Sequence, residues 1–260
     1  MNAPINALLL ILFGSTIGFC EMLAQAFEPF ITITNSEGMK LTCLPSGVYL
    51  MGSTTSEPGR TTNEVLTTET IEKGFLIGTT EVTQKQWRDI MGTDPSSFKG
   101  ENRPVENITW HEAVMFCQRL SDKEKKHYRL PTGVEWEYAC RAGTKTAYCA
   151  CNGAEALGRV GWYQKNSGNQ SHPVASKQAN AWGLFDMHGN VSEWCAIRED
   201  TYKTESDLVN REIKSGRDLR GGSWGLTQVD CRSAARHRNN GDYRYFDLGF
   251  RVVCDADKLH

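Results

Sequence analysis

Leu219-Arg220-Gly221-Gly222-Ser223-Trp224 opens the last part of this chain, Cys231-Arg232-Ser233-Ala234-Ala235-Arg236 marks its middle, and Gly249-Phe250-Arg251-Val252-Val253 closes it. An irregular filler, Gly225–Asp230 and then His237–Asp247, separates these blocks, its second part rich in Tyr, Arg, Asn and Asp. The blocks are built of Gly, Arg and aromatic residues; the filler shows no helical or strand period and reads as structureless. A stiff frame around an irregular polar-aromatic segment is the pattern of a scaffold that presents a surface, because binding residues sit disproportionately on loops held by rigid elements.

Outward from the tail, the rest of the chain reads as one domain. Met39–Leu50 and Phe27–Asn35 alternate as strands do, and Thr54–Leu66 is a polar loop with Gly and Pro. Thr83 is placed to cap a helix running to Met91. A second helix starts at Thr109 or Trp110, with Ala113, Phe116, Cys117 and Leu120 on its inner face. Thr132 with Glu135 three residues later is a capping-box pair for a third. Glu135 and Glu137 point to different faces of that helix, so they read as structural groups and not as an acid–base pair. From Gly143 onward there is little periodicity, and no internal repeat or linker appears.

The 260 residues carry 39% hydrophobic and 23% charged side chains with a formal net charge of −2. That balance is ordinary for a soluble globular domain and gives no general attraction to nucleic acid. The N-terminus is different. Ala7–Gly18 is an apolar run too short for a bilayer-spanning helix, which needs about 20 residues, and it fits the core of a signal peptide. Ile17-Gly18-Phe19-Cys20 is a relaxed lipobox with Cys20 as the lipidated residue, so residues 1–20 are expected to export the chain and anchor it to a membrane. Plain secretion, with cleavage near Ala24 or Ala26, is the alternative. Nine cysteines suit an oxidising compartment, and their spacing contains no CxxC pair of the kind structural zinc uses.

Blocks along the chain resemble the formylglycine-generating-enzyme family, also called the sulfatase-modifying-factor domain. The carriers are Tyr49-Leu50-Met51-Gly52, Glu81-Val82-Thr83, Pro104-Val105 with Thr109-Trp110-His111-Glu112-Ala113, Arg129-Leu130-Pro131-Thr132 with Glu135-Trp136-Glu137-Tyr138-Ala139, Trp182-Gly183-Leu184-Phe185-Asp186-Met187-His188-Gly189-Asn190-Val191-Ser192-Glu193-Trp194, and the tail. The resemblance implies an α+β, C-type-lectin-like fold with little regular secondary structure, over residues 27–257. Oxidases of that family bind copper through a cysteine pair just after the Gly-Gly-Ser-aromatic block. Here Gly225–Asp230 contains no cysteine, and Cys231 comes too late to match. Two soft thiolates are what copper(I) requires, so formylglycine-generating activity is not expected.

The tail is most similar to the variable region of proteins diversified by retroelements, some of them surface lipoproteins of bacteria such as treponemes. Randomised Asn codons in such regions do not become Lys, Glu, Gln, Met or Trp. Between Gly225 and Leu248 the chain has none of these except Gln228. The resemblance therefore implies a surface-displayed, monomeric ligand-binding protein with a variable region at 225–247, acting without catalysis. Its expected contacts are Leu226, Thr227, Val229, Asp230, His237, Arg238, Asn239, Asn240, Asp242, Tyr243, Tyr245, Phe246 and Asp247, with a protein or other cell-surface ligand as partner. Tyr gives rigid amphipathic contact and small polar residues adapt, as in antibody loops. An exported enzyme of different chemistry and an accessory domain with one fixed partner are the competing readings.

By the same resemblance, Asp186 and Glu193 with the carbonyls of Gly189 and Val191 would hold a structural calcium; a hydrogen-bonded turn without metal is the alternative, and no other cofactor is required. Arg220, Arg232, Arg236 and Arg251 are expected to be ion-paired within the frame. The family's pattern would join Cys117 to Cys254 and Cys140 to Cys231, each bridge closing a loop of roughly 90 to 140 residues and contributing about 4 kcal/mol.

Overall fold

The computed structural model describes residues 30–149, 152–196 and 216–256; the export segment and Cys20 lie outside them. Five strands lead in: β1 Thr32–Thr34, β2 Lys40–Leu44, β3 Gly47–Met51, β4 Thr67–Ile71 and β5 Phe75–Gly78. Helices α1 Gln84–Met91 and α2 Trp110–Glu124, strand β6 Tyr128–Arg129, and helices α3 Gly133–Arg141 and α4 Ala154–Val160 follow. The last part adds β7 Ser192–Trp194, β8 Arg217–Arg220, β9 His237–Asn239, β10 Leu248–Gly249 and β11 Val253–Asp255. The architecture is α+β, as the resemblance implied.

The three expected helix starts are present. Thr83, Thr109 and Thr132 each accept from the backbone N–H three residues on, and Gln86, Glu112 and Glu135 bond back to the cap N–H at 2.9, 2.8 and 2.8 Å. Each reciprocal pair satisfies two otherwise orphaned donors. The stretch expected as a strand from Met39 to Leu50 is broken at Pro45-Ser46, because proline fixes its own backbone angle and has no N–H to give a ladder.

The largest sheet runs β1-β2-β5-β11-β6. The final strand β11 thus lies between β5 and β6, antiparallel to both, and sews the end of the chain into the middle of the sheet. A second sheet, β10-β7-β8-β9, is assembled almost wholly from the tail. The tail is therefore not structureless. Gln228–Cys231 forms a 3-10 turn, and His237–Asn239 pairs with β8 in the register Arg217↔Asn239 to Leu219↔His237. Two to four residues per element give no period that alternation could reveal.

The main core is aromatic. Trp87 and Phe116 stack at 5.7 Å, and Phe250 meets both edge-on at 6.1 and 5.3 Å. The buried indoles also satisfy their N–H groups, Trp110 on the Cys195 carbonyl and Trp194 on the Ile108 carbonyl. Aromatic pairs of this geometry add to the area they bury, and a buried tryptophan needs such a partner.

Candidate functional site

Three buried arginines fix the frame. Arg220 donates to both Glu137 (2.9 Å) and the Ala235 carbonyl (3.0 Å), and so ties β8 to the far end of the middle block. Arg232 holds Glu57 and Glu64, each at 2.7 Å, and pins the polar loop 54–66 to the tail. Arg251 donates twice to Glu193, at 2.7 Å each. Arg236 lies farther out, 3.7 Å from Glu137. All four are ion-paired as expected. Glu137 is fully buried among Arg141, Arg220 and the Gly52 N–H, whereas Glu135 holds Arg129 and its own cap. Both carboxylates are structural.

Two glycines let the backbone pack this closely. Gly222, at φ +68°, would place a Cβ 2.7 Å from the Cys231 sulfur, and Gly189, at φ +93°, would place one 2.0 Å from the Trp162 carbonyl oxygen. Neither position accepts a side chain.

On this frame the segment Asn240–Asp247 is fastened by its backbone while the side chains of Asp242–Tyr245 face outward. The Gly241 carbonyl accepts from the Trp110 N–H and the Tyr245 carbonyl from the Asn107 N–H, both at 3.0 Å. Both ends of the loop are thereby held against the start of α2. Tyr243 and Tyr245 stack in parallel at 5.9 Å, and each is 42% exposed. Tyr245 continues onto Phe246 at 4.0 Å, Phe246 onto Trp224 at 5.5 Å, and Phe98 stands edge-on to Trp224 at 5.4 Å. The exposed Asp242 and Asn240 lie on the same segment, and the exposed Arg238 just before it in β9. Arg244 pairs with Glu112 at 2.9 Å, Asp242 approaches His111 at 3.4 Å, and Arg238 reaches Asp218 at 2.7 Å.

Not every expected contact residue faces solvent. Asp247 turns inward to accept from the Ser223 hydroxyl, and burial raises its carboxyl above the ordinary value. Phe246 stacks on the frame at Trp224. These two serve the scaffold. Leu226, Thr227, Val229 and Asp230 form a second patch, most of it half-buried, around the 3-10 turn. There the Leu226 carbonyl accepts from the Gln164 N–H, Asp230 caps Thr227, and Arg232 donates to the Val229 carbonyl. His237 joins this patch 3.6 Å from Asp230, and Asn239 ends β9.

Phe98, His111, Glu112 and Trp224 were not expected at the face. They come from elements far apart in the chain, and the only hint was their place beside the helix-start and Gly-Gly-Ser blocks. Glu106 was also missed. Fully buried, it takes the backbone N–H groups of Ser97 (2.5 Å) and Phe98 (2.9 Å) on one oxygen and leaves the other without a partner. Burial outweighs those hydrogen bonds and raises its carboxyl to about 7.

The Trp182–Trp194 block forms a tight buried turn with Asp186 and Asn190 at positive φ. Of the set expected around calcium, Glu193 is committed to Arg251 and to the Trp136 N–H at 2.8 Å. No N–H or hydroxyl donor reaches either oxygen of Glu81, which was not expected here, or Oδ1 of Asp186; the two buried carboxyls hydrogen-bond each other. Burial raises Glu81 well above its usual range and Asp186 to about 6. Among the described residues no three His, Cys, Asp or Glu side chains form a ready-made metal group. These carboxyl oxygens are nonetheless hard donors of the type calcium takes, and the three carboxylates outnumber the one arginine facing them.

The expected disulfides are not formed. Cys117, Cys254, Cys140 and Cys231 are all free thiols. His188 contacts both residues of the second pair: its Nε2 is 3.6 Å from the Cys140 sulfur, and its Nδ1 is 2.8 Å from the Cys231 carbonyl. Cys117 and Cys254 both belong to the main core, and the Cys254 thiol turns to the Asp255 carbonyl. Burial pushes Cys140 up to about 12 and Cys231 higher still.

This frame of buried arginines, Gly-Gly-Ser turn and tail sheet matches, over residues 30–256, the family described as the sulfatase-modifying factor enzyme 1-like domain. The chain belongs to that family. It is 37% identical to the chaperone protein LppX of Paenibacillus barcinonensis over 171 residues, 46% of this chain and 61% of that one. It is 32% identical to the formylglycine-generating enzyme of Mus musculus over 191 residues, 66% of this chain and 49% of that one. The chain thus spans about half to three fifths of the length of these relatives. Among solved structures, variable protein 1 of Treponema denticola superposes with a TM-score of 0.73 at 28% identity, covering 86% of this chain and 99% of that one. PvdO from Pseudomonas aeruginosa superposes at 0.75 with 25% identity, covering 88% and 99%. The family includes enzymes, and the fold is also that of a variable protein.

Proposed function

We propose that this chain is a binding protein whose tail, residues 225–247, recognises a partner molecule without chemistry, and that a retroelement diversifies that tail. The observation that carries this reading is the division of labour in 240–247: backbone carbonyls and Asp247 serve the frame, while Tyr243, Arg244, Tyr245 and Asp242 are left to the surface. A loop fastened by its main chain tolerates change in its outward side chains. Rigid aromatic anchors beside Arg are the residues that dominate recognition. The likeness to Treponema denticola variable protein 1 supports the same reading. Catalysis of the formylglycine-generating kind is not part of it, because Gly225–Asp230 supplies no thiol and Cys231 is buried and protonated.

The export segment and Cys20 supply the rest of the proposal: display at the bacterial surface on a lipid anchor, as a monomer. Calcium is proposed as a structural component at the Glu81–Asp186 cluster, with the carbonyls of Gly189 and Val191. A second reading, a fixed protein partner, is favoured by the 37% identity to the chaperone protein LppX.

The experiment is to sequence the gene and its flanking DNA from many cells of one lineage. Changes confined to codons 225–247, beside an adenine-rich near-copy and a reverse-transcriptase gene, are expected. An invariant tail without such neighbours overturns diversification and turns the search to one fixed partner. Mass spectrometry of the mature N-terminus decides the lipid on Cys20.

A further inference from the structure

Glu106 and Asn107 join two segments, the turn 95–98 and the tail loop. Oε1 of Glu106 accepts from the Ser97 and Phe98 N–H groups at 2.5 and 2.9 Å, and the Glu106 N–H donates to the Ser96 hydroxyl at 3.2 Å. Asn107 donates its side-chain amide to the Pro95 carbonyl and its backbone N–H to the Tyr245 carbonyl, both at 3.0 Å. Turn and tail are thus fastened to the same two neighbouring residues.

The rings repeat that connection. Phe98 stands edge-on to Trp224 at 5.4 Å and to Phe246 at 6.5 Å, and Phe246 leads through Tyr245 to Tyr243. A shift of the Phe98 backbone therefore reaches the exposed tyrosine pair by two routes, through the rings and through Asn107.

The Glu106 side chain is fully buried, and no N–H or hydroxyl reaches its Oε2. Two charged groups face it. Asp247 from the tail opposes its ionisation and Lys99 from the turn favours it, but Lys99 is exposed and paired with Asp94 at 3.0 Å. A buried charge without a partner costs far more than a buried neutral hydroxyl without one, and the carboxyl accordingly keeps its proton up to about 7. Ser97 and Lys99 are exposed, so the turn that carries the two donors lies at the surface. Its far end has a separate tie, since the Gln84 side chain donates to the Phe98 carbonyl and accepts from the Gly100 N–H. Water reaches an ionised Glu106 when the near end lifts.

We propose that Glu106 is a positioning residue of the tail's face that works by its proton: neutral, it keeps turn 96–98 closed and the ladder from Phe98 to Tyr243 aligned; ionised, it releases the turn and loosens that alignment. By linkage, a raised carboxyl contributes its full stabilisation below the unfolded value of 4.5 and loses it as pH rises through the folded value of about 7. The face is ordered in mild acid and loosened at and above neutral pH. That this ordering serves recognition rests on the role proposed for residues 225–247; the coupling of proton to turn does not.

Amide hydrogen exchange on the full chain between pH 5 and 8 tests it, read as protection factors so that the intrinsic pH dependence of exchange is removed. Protection at Ser97, Phe98 and Asn107, the last reporting the tie to Tyr245, is expected to fall together by on the order of tenfold across that range. Glu106→Gln keeps an acceptor for the two amides and has no proton to lose, so its profile is expected to be flat. Asp247→Asn still offers Ser223 an acceptor and is expected to move the midpoint to lower pH; it serves if Glu106→Gln melts early. Wild-type protection independent of pH, an equal response in Glu106→Gln, or loss at Ser97 and Phe98 with Asn107 unmoved overturns the proposal. An invariant tail gene would remove diversification and leave this profile as it is, so the two readings fail separately.

Discussion

Arg251 clasps Glu193 with two hydrogen bonds of 2.7 Å while both side chains are fully buried. One residue comes from the closing Gly-Phe-Arg block and the other from the Trp182–Trp194 block, so the pair joins two motifs more than fifty residues apart in the chain. Removing one partner of a buried pair strands the other charge, which costs about 3–5 kcal/mol. Arg251→Leu and Glu193→Leu are each expected to lose stability of that order, and the double variant less than their sum. Urea unfolding of the three proteins measures this; additive losses would mean the two residues act separately.

Two buried carboxylates are expected to respond to pH in opposite directions. Burial alone would raise Glu64, but Arg232, Ser53 and Thr61 hold it at about 2, below its ordinary 4.5. A depressed carboxyl stabilises the fold above the unfolded value and loses that contribution as pH falls toward the folded one. The stability gap between the wild type and Glu64→Gln is therefore expected to close between pH 4.5 and 2. Glu106, raised to about 7, has the reverse sign: ionising it costs the folded state as pH rises from 4.5 to 7. Glu106→Gln is expected to gain on the wild type across that interval. Thermal melts of both variants over pH 3 to 8 decide it, and gaps that stay constant with pH would refute both assignments.

The free thiols make a chemical prediction. Cys140, Cys231 and Cys117 are fully buried with raised pKa values, and a thiol reacts only as its thiolate. In the native protein they are expected to resist iodoacetamide, while the half-exposed Cys43 and Cys149 react first. Unfolding without reductant is then expected to make all of them available to alkylation. Peptide masses two hydrogens light for Cys117–Cys254 or Cys140–Cys231 would restore the bridges the family pattern implied.

The helix starts were legible because a Thr-x-x-Gln/Glu signature is local: cap and partner sit within four residues. The buried arginines were legible for a related reason, since a charge in a Gly-aromatic block has to find a partner inside. What stayed hidden is what crosses the chain. Glu106 orders Phe98, which packs on Trp224, and nothing within a short window links those three. Strands β8 to β10 have two to four residues each, too few for alternation to register. The family pattern behind the expected cysteine pairs likewise says nothing of His188, which touches the Cys140 thiol and the Cys231 carbonyl.

The paired carboxyls of Glu81 and Asp186 lead to a metal-dependence test. Calcium bound there would replace the proton the two carboxyls share and stabilise only the folded state, by mass action. Added calcium is expected to raise the melting temperature, EGTA to lower it, and Asp186→Asn to abolish the difference. Magnesium is expected to do less, since it demands octahedral geometry and gives up water reluctantly. A melt insensitive to calcium and EGTA would leave the turn held by Arg251 and a retained proton.

The tail separates side chains that can vary from side chains that cannot. Tyr243 and Tyr245 stack on each other in the open, so replacing either with Ala is expected to change stability by no more than about 0.5 kcal/mol. Phe246 packs on Trp224 and beside Phe98, and Phe246→Ala is expected to cost about 3 kcal/mol, in the range for removing a packed aromatic. Asp247→Ala strands the Ser223 hydroxyl, at about 1–3 kcal/mol. Among sister copies of the gene, substitutions should therefore concentrate at 238–245 and spare 246 and 247. Melting the four variants and comparing them with natural variation tests one idea twice. Free variation at Phe246 and Asp247, or large losses at Tyr243 and Tyr245, would show that the boundary between frame and surface lies elsewhere.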